Sequence, residues 1–210
     1  MKLIAATQNM NKLREIALIT SDFGMELVPM KEVLGDLDIE ENGKTCAENS
    51  ITKAETVCRL TGQASIADDS GIMVDALGGA PGVHSARYAG GHGDEVANRR
   101  KILREIEGLP MEERTAHFVC VITYVHPDGT EIVAEGICPG HISFEELGTG
   151  GFGYDSIFIP EGCEETFAQL PPEIKNTIGH RALALKKLRE EFEAVYGKQE
   201  GDENDQSQHC

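Results

Sequence analysis

The segment Lys2-Leu3-Ile4-Ala5-Ala6-Thr7-Gln8-Asn9-Met10-Asn11-Lys12 decides the fold class of this chain. Residues 2–6 form an apolar run that predicts a buried first strand, and a polar turn follows directly. Apolar residues then recur at helical spacing over residues 11–19. A strand that leads through a short turn into a helix is typical of the opening of an α/β protein.

The rest of the chain continues this alternation. Further strands are predicted at 25–28, 64–67, 115–126, 130–137 and 157–159, and residues 141–144 can extend the sheet. Helices are predicted from the capping box Thr45-x-x-Glu48 to about Thr61, over 95–106 and over 182–196. We therefore predict one α/β domain over residues 1–196. Residues 197–210 are acidic and almost devoid of apolar side chains, which predicts a disordered tail.

The charge balance excludes several classes of partner. Lys and Arg total 19 against 36 Asp and Glu, a formal charge of −17. Nucleic-acid polymers and acidic membrane surfaces would both be repelled, because their binding depends on many Lys and Arg contacts to phosphate. No apolar run reaches the ~18 residues of a membrane span, and the amino terminus turns polar too early for a signal peptide. We expect a cytoplasmic protein whose phosphate ligands are small and meet local cations or a metal ion.

The polar turn after the first strand is the first candidate site. Its backbone N–H groups open a helix, and Lys12 adds a positive charge, which suits an anion such as phosphate. The candidate substrate-binding residues of this segment are Thr7, Gln8, Asn9, Met10, Asn11 and Lys12. The alternative interpretation is a simple helix cap provided by Asn9 or Asn11.

Two acidic segments are candidates for metal binding or proton transfer. In Ala67-Asp68-Asp69-Ser70-Gly71, which follows the predicted strand 64–67, neighbouring side chains point to opposite faces. One aspartate can therefore face a cleft, where a carboxylate suits Mg2+ coordination or proton abstraction from water. The turn Glu40-Glu41-Asn42-Gly43 contributes a second carboxylate only if it returns to that aspartate in space. The alternatives are an acidic turn and a solvated run of charge.

Two later segments suit a flat ligand. In Gly148–Asp155, four glycines allow close approach of the backbone, and Phe152 and Tyr154 offer faces on which a base can stack. His180 and Arg181, in a basic segment that begins at Lys175, can donate hydrogen bonds to a purine edge or to phosphates. The alternatives are a tight corner of the sheet for the first segment and surface charge for the second.

Taken together and in this order, the motifs resemble those of the inosine triphosphate pyrophosphatase family. The matching strings are T-x-N-x-x-K, A-D-D-S-G, G-G-A-P-G-x-x-S-A-R-Y, G-T-G-G-F-G-Y-D and K-N-x-I-x-H-R, and the resemblance runs from Lys2 to about Tyr196. It implies a mixed, twisted central sheet flanked by helices, in two lobes with the active-site cleft between them. It also implies a homodimer that uses Mg2+ to hydrolyse ITP, dITP and XTP to the monophosphate and pyrophosphate, removing aberrant purines from the nucleotide pool.

The resemblance implies a role for each matching residue. Asp69 would be the general base and a metal ligand, and Glu40 the second metal ligand, with Glu41 left open as the alternative. Thr7, Asn9, Lys12 and Lys53 would hold the phosphates, and Ser70 would contact the substrate. The base pocket would consist of Phe152, Gly153, Tyr154, Asp155, Lys175, His180 and Arg181. Within it, Phe152 would stack on the purine, and His180 and Arg181 would donate to its 6-oxo group.

Two other functions stay open at this point. One is a related nucleotide pyrophosphatase that acts on modified pyrimidine or normal nucleotides. The other is a binding module that holds metal and nucleotide without hydrolysis. Three departures from the family pattern are Cys46 in place of Phe, Ser156 in place of Pro and Gly179 in place of Ser. None of them removes a proposed ligand or catalytic group.

Overall fold

The computed structural model describes residues 1–7, 9–91 and 93–197, whose strands form one open mixed sheet. The six strands are β1 (Lys2–Ala5), β2 (Glu26–Pro29), β3 (Ser65–Val74), β4 (Thr115–Val125), β5 (Glu131–Ile142) and β6 (Phe158–Pro160). Their order across the sheet is β2-β1-β3-β4-β5-β6. β1 runs parallel to β2 and β3, and the remaining neighbours are antiparallel. The predicted mixed sheet with flanking helices is confirmed.

Helices cover both faces of this sheet. They are α1 (Met10–Thr20), α2 (Met30–Leu34), α3 (Cys46–Thr61), α4 (Glu95–Glu105), α5 (Pro172–Ile178) and α6 (His180–Tyr196). α3 packs on β3 and β4, and α6 packs on β4 and β5. The apolar cluster beside α3 contains Ala67, whereas the cluster beside α6 contains Ile66. Because side chains alternate along a strand, α3 and α6 lie on opposite faces of the sheet.

The start of α3 follows directly from its sequence. Thr45 Oγ1 accepts the backbone N–H of Glu48 at 3.2 Å, and the Glu48 carboxylate accepts the N–H of Lys44 at 2.6 Å. The helix ends at Thr61 and is capped by Gly62, whose φ of 64° is a left-handed conformation that favours glycine. This predicted cap fixes the helix in register, so that Asn49 and Lys53, four residues apart, face β3 together.

Three predicted boundaries differ from the structure by more than one residue. β3 was predicted to end at Ala67, but it continues to Val74, so Asp68 to Gly71 lie inside the strand. Pairing with β4 continues to Val74 and Ala116, and β5 likewise extends through Ile142. α6 begins at His180 rather than at 182, which places the His180-Arg181 pair in its first turn. α2 and α5, two short helices, were not predicted.

Gly71 explains how β3 passes the segment that follows it. A Cβ at this position would lie 2.3 Å from the carbonyl oxygen of Gly82 and 3.2 Å from Ser85 Oγ. Ser85 Oγ also accepts the N–H of Ile72 at 3.0 Å. The 3-10 helix Gly82–Arg87 therefore packs directly on the strand where the side chain is missing.

The apolar core has two main clusters along the long strands. The first includes Ile66 and Ile122, and the second includes Ile72 and Phe118. Asp68 and Ser70 of β3 lie between them on the face that α6 covers. In the part of the chain that the structure describes, no helix is long and apolar enough to cross a membrane. All of the predicted tail, residues 197–210, except Gly197 lies outside the described residues, and the tail stays a prediction.

Candidate active site

One cavity of about 670 Å³ opens across β3, within the range of about 300–1,000 Å³ that small-molecule sites occupy. Most of the residues predicted from the sequence line it. They are Thr7, Asn9, Lys12, Glu40, Glu41, Lys53, Asp69, Ser70, Phe152, Gly153, Tyr154, Asp155, Lys175, His180 and Arg181. Met10 does not line the cavity, and its side chain is exposed at the start of α1. Gln8 and the side chain of Asn11 lie outside the described residues.

The turn between β1 and α1 is organised as a helix cap. Asn9 Oδ1 accepts the backbone N–H of Lys12 at 3.3 Å, and the Asn9 N–H donates to Thr7 Oγ1 at 3.2 Å. The capping interpretation is therefore correct for Asn9. It does not exclude the phosphate interpretation, because Thr7, Asn9 and Lys12 all line the cavity.

Asp68, on the α6 face of β3, is a fully buried carboxylate held by cations. Its Oδ2 lies 3.0 Å from Lys12 Nζ and 3.4 Å from Arg181 Nη2. Burial alone would raise the pKa of Asp68, but the charges of Lys12, Arg181 and Lys53 outweigh it and hold the pKa well below its usual range. The side chain therefore stays ionised and joins α1 to α6.

Asp69, on the α3 face, has a different environment. Its Oδ2 accepts a hydrogen bond from Asn49 Nδ2 at 3.1 Å, and its Oδ1 lies 3.5 Å from Lys53 Nζ. Burial raises the pKa of Asp69, the charge of Glu41 adds to that rise, and the charge of Lys53 opposes it. A cavity-lining carboxylate with a raised pKa has the properties of a general base.

Lys53 connects Asp69 to the acidic turn. Its Nζ lies 2.5 Å from Glu41 Oε1 and donates to the carbonyl oxygen of Asp68 at 2.8 Å. Burial opposes its charge, but Asp69 and Glu41 raise the pKa of Lys53, so it stays an ammonium. Glu40, which is exposed and also lines the cavity, instead accepts a hydrogen bond from Asn42 at 2.8 Å. Of the two glutamates left open by the sequence, Glu41 is the one that shares a cation with Asp69.

The glycine-rich loop is shaped by the buried Asp155. Its Oδ2 accepts the backbone N–H of Phe152 at 2.9 Å and lies 2.5 Å from Lys175 Nζ. The Lys175 ammonium also lies 4.3 Å from the centroid of the half-buried Phe152 ring. At Gly151, φ is 69° and a Cβ would lie 2.0 Å from Asp155 Oδ2, so the turn over Asp155 requires glycine.

Tyr154 does not behave as expected. Its ring packs in the second apolar cluster with only 6 % of the residue exposed, and its hydroxyl donates to the carbonyl oxygen of Ser85 at 2.7 Å. Its ring is therefore not an open face for stacking, contrary to the prediction. Phe152 is left as the stacking candidate of this loop.

His180 and Arg181 are buried in the first turn of α6, so the surface-charge alternative is wrong. The His180 ring stacks on Phe118 with centroids 4.6 Å apart and an interplanar angle of 14°. Burial and the charges of Arg181 and Lys175 hold the pKa of His180 well below its usual value, so the ring is neutral. Within the described residues, His180 Nδ1 has no hydrogen-bond partner. Arg181 Nη1 lies 2.6 Å from Glu15 Oε2 in addition to its contact with Asp68.

Helix α4 contributes residues to the cavity that the sequence did not predict. Glu95 and Asn98 line the cavity, and Arg99 donates to the carbonyl oxygen of Gly153 at 2.8 Å. Their i, i+3, i+4 spacing predicts one shared face of the helix. That spacing does not identify what the face contacts, because the loop it meets lies more than forty residues away in the chain.

Comparison with known proteins identifies the family. The model of the Ham1 family matches residues 3–191. This chain belongs to the Ham1 family. Two relatives that bear the name dITP/XTP pyrophosphatase come from Desulforamulus reducens and Haemophilus influenzae. The first is 46 % identical over 200 residues, which is 95 % of this chain and 100 % of the relative. The second is 47 % identical over 192 residues, which is 90 % of this chain and 97 % of the relative.

Solved structures of similar proteins have the same fold. The Ham1 protein of Staphylococcus aureus superposes with a TM-score of 0.87 at 37 % identity, covering 93 % of this chain and 100 % of that one. A nucleoside-triphosphatase, also named dITP/XTP pyrophosphatase, from Mycobacterium abscessus gives a TM-score of 0.77 at 41 % identity. That match covers 90 % of this chain and 97 % of the mycobacterial one.

Proposed function

We propose that this protein hydrolyses aberrant purine nucleoside triphosphates (dITP, ITP and XTP) to the monophosphate and pyrophosphate. The observation that carries the proposal is one cavity that joins the Asp69–Lys53–Glu41 group to the Phe152 loop and the buried His180-Arg181 pair. The names of the relatives agree with this chemistry. Such an enzyme would remove damaged purines from the nucleotide pool.

The donor set of the cavity fits a Mg2+ ion. Glu41 and Asp69 already share one cation, the ammonium of Lys53, and both offer the hard oxygen ligands that Mg2+ prefers. Among the described residues, no group of three or more His, Cys, Asp or Glu converges as a complete metal cage. This agrees with Mg2+, which is usually held by one or two carboxylates together with substrate phosphates and water.

We assign the metal to Asp69 and to a glutamate of the acidic turn. The family resemblance favoured Glu40, whereas the contact through Lys53 favours Glu41. When bound, the ion would neutralise phosphate charge and polarise the phosphorus that is attacked. The remaining steps depend on side chains of this chain.

Asp69 is the proposed general base. Its carboxylate accepts a proton from water, the water oxygen forms a bond to the α-phosphorus, and the bond from that phosphorus to the bridging oxygen breaks. Pyrophosphate leaves with the electron pair on that oxygen. Lys12 and Lys53 are the proposed cations that offset the charge on the phosphates. Thr7 and Asn9 at the start of α1, and Ser70 beside Asp69, would contact the substrate as well.

The purine would lie between Phe152 and the first turn of α6. We propose that Phe152 stacks on the base and that His180 and Arg181 donate to the 6-oxo group. Gly153, Tyr154, Asp155 and Lys175 would shape this side of the pocket. Adenine has a 6-amino donor at the same place, so donor would face donor, at a cost of about 1–3 kcal/mol or roughly 5- to 150-fold.

The net charge and the family resemblance indicate the partners of this protein. The substrate is a small nucleotide, because a formal charge of −17 opposes nucleic-acid polymers and acidic membranes. We propose a homodimer, as the family resemblance implies, and propose the cytoplasm as its location.

A substrate panel tests the proposal. Pyrophosphate release is measured from dITP, ITP, XTP, GTP, ATP and dTTP with Mg2+. We expect the first three to be hydrolysed and the others to be hydrolysed much more slowly. Comparable rates on dTTP or GTP would indicate the related pyrophosphatase of different specificity. Tight nucleotide binding without pyrophosphate release would indicate a binding module.

A further inference from the structure

The glycine-rich loop after β5 is bound by the first two turns of α4. Glu95 Oε2 accepts the backbone N–H of Gly153 at 2.9 Å, and Arg99 Nη1 donates to the Gly153 carbonyl oxygen at 2.8 Å. Both backbone polar groups of a single loop residue are therefore held by the same helix. The two side chains also approach each other, with Arg99 Nη1 3.8 Å from Glu95 Oε2.

Arg99 also holds the beginning of the same loop. Its Nε lies 2.8 Å from Glu146 Oε2, and its side chain is only 14 % exposed. Glu146 and Gly153 both belong to the segment between β5 and the 3-10 helix Asp155–Ile157. One largely buried guanidinium thus joins the two ends of the loop, which is the geometry that the planar fork of arginine suits.

Asn98, between them on the same face of α4, binds the other loop at this side of the cavity. Its Nδ2 donates to the carbonyl oxygens of Ser85 and Ala86 at 3.3 Å, and its Oδ1 accepts the N–H of Ala89 at 2.7 Å. The hydroxyl of Tyr154 donates to the Ser85 carbonyl as well. The polar face of α4 is therefore a common support for both segments.

Gly153 links the contacts from α4 to the proposed base site, because it directly follows Phe152 in the chain. Its φ of 61° is left-handed, and its N–H belongs to the peptide that follows Phe152. Asp155 holds the N–H of Phe152 on the other side of the loop. Contacts from Glu95 and Arg99 fix both peptides of Gly153, so they fix the direction in which the Phe152 ring is presented.

We propose that Glu95 and Arg99 are positioning residues that set the orientation of Phe152 and thereby the affinity for the purine. This inference rests on the proposed function, because it takes Phe152 to be the ring on which the base stacks. Neither side chain contacts the Asp69–Lys53–Glu41 group. Their effect is therefore confined to the base end of the substrate.

The test uses four variants of the full chain. Glu95→Ala and Arg99→Ala remove the two contacts, and Glu95→Gln keeps an oxygen that accepts the Gly153 N–H. Arg100→Ala is the matched control, since Arg100 is 72 % exposed and approaches the same Glu146 at 3.8 Å from the solvent side. For each variant, kcat and KM are measured with dITP, and inhibition by inorganic pyrophosphate reports on the phosphate end alone.

Loss of a base–aromatic stack weakens binding by roughly 5- to 150-fold, so we expect Glu95→Ala and Arg99→Ala to raise the KM for dITP about tenfold. A loss of binding that is equal in ground and transition states leaves kcat near the wild-type value. Pyrophosphate inhibition, which also shows that each variant is folded, should stay close to wild type. Glu95→Gln should restore the KM, and Arg100→Ala should leave it unchanged.

Three results would overturn the inference: an unchanged KM in both alanine variants, a parallel loss of pyrophosphate inhibition, or no recovery in Glu95→Gln. Calorimetric binding of IMP to the same proteins provides a readout that needs no turnover, and about tenfold weaker binding is expected there as well. A wild-type protein that binds IMP but releases no pyrophosphate from dITP would refute the proposed function. The binding data would still decide the role of Glu95 and Arg99.

Discussion

Asp68 and Asp69 are neighbours in β3, yet their carboxylates face opposite sides of the sheet and contact different cations. Asp68 lies 3.0 Å from Lys12 on the α6 side, whereas Asp69 lies 3.5 Å from Lys53 on the α3 side. The pKa of Asp68 is lowered and that of Asp69 is raised. One aspartate therefore stabilises the folded state, and the other is available for chemistry.

The first prediction concerns the different contributions of Asp68 and Asp69 to the stability of the folded protein. Removing one partner from a buried ion pair costs about 3–5 kcal/mol, so we expect Asp68→Asn to lower the free energy of unfolding by about 3 kcal/mol at neutral pH. Asp69→Asn should not be destabilised, because the fold disfavours the ionised form of Asp69. Urea unfolding of the wild type and both variants measures the difference. Equal destabilisation by both substitutions would contradict the assignment.

The stability difference at Asp68 should also depend on pH. A carboxyl whose pKa is lower in the folded than in the unfolded state contributes stability above its unfolded value, here about 3.8, and loses it as the pH falls further. The gap in unfolding free energy between wild type and Asp68→Asn should therefore shrink below about pH 4. Unfolding titrations at a series of acidic pH values test this. A gap that stays constant would show that the ionised form of Asp68 does not contribute to the free energy of unfolding.

The second glutamate of the metal site can be identified by a matched pair of variants. We expect Glu41→Gln to raise the Mg2+ concentration required for half-maximal pyrophosphate release by at least about tenfold. Glu40→Gln should have a much smaller effect, because Glu40 accepts a hydrogen bond from Asn42, whereas Glu41 shares the Lys53 ammonium with Asp69. Mg2+ titrations of initial rate measure both. The reverse ranking would favour Glu40, as the sequence did.

Selectivity against adenine should depend on His180. Loss of one buried hydrogen bond to the 6-oxo group changes relative rates by roughly 5- to 150-fold, so His180→Ala should reduce the ratio of kcat/KM for dITP over dATP by that order. His180→Gln keeps a donor and should retain part of the preference. Because burial holds the pKa of His180 well below neutrality, the ratio should not change with pH around neutrality. An equal fall on both substrates would contradict this role.

Local patterns in the sequence predicted much of this structure. The capping box placed α3 correctly, and alternation along the strand predicted that only one of the two aspartates faces the cavity. Resemblance of motifs predicted about half of the residues that line it. These features depend on residues that are close together in the chain, which is why the sequence alone can predict them.

The errors arose where distant segments decide the outcome. β3 continues past Ala67 because β4 pairs with it as far as Val74 and because Gly71 accommodates the turn at Gly82. The Tyr154 ring lies in the core because it packs in an apolar cluster and its hydroxyl donates to the Ser85 carbonyl oxygen. No local sequence pattern predicts the contacts of Glu95 and Arg99 with Gly153.

The most direct test of the whole account is pyrophosphate release from dITP by Asp69→Asn compared with wild type, in the presence of Mg2+. General base catalysis contributes about 10²- to 10⁴-fold, so we expect a loss of that size, in a variant that melts at or above the wild-type temperature and still binds IMP. Turnover within a few-fold of wild type would contradict the assignment of Asp69 as the general base.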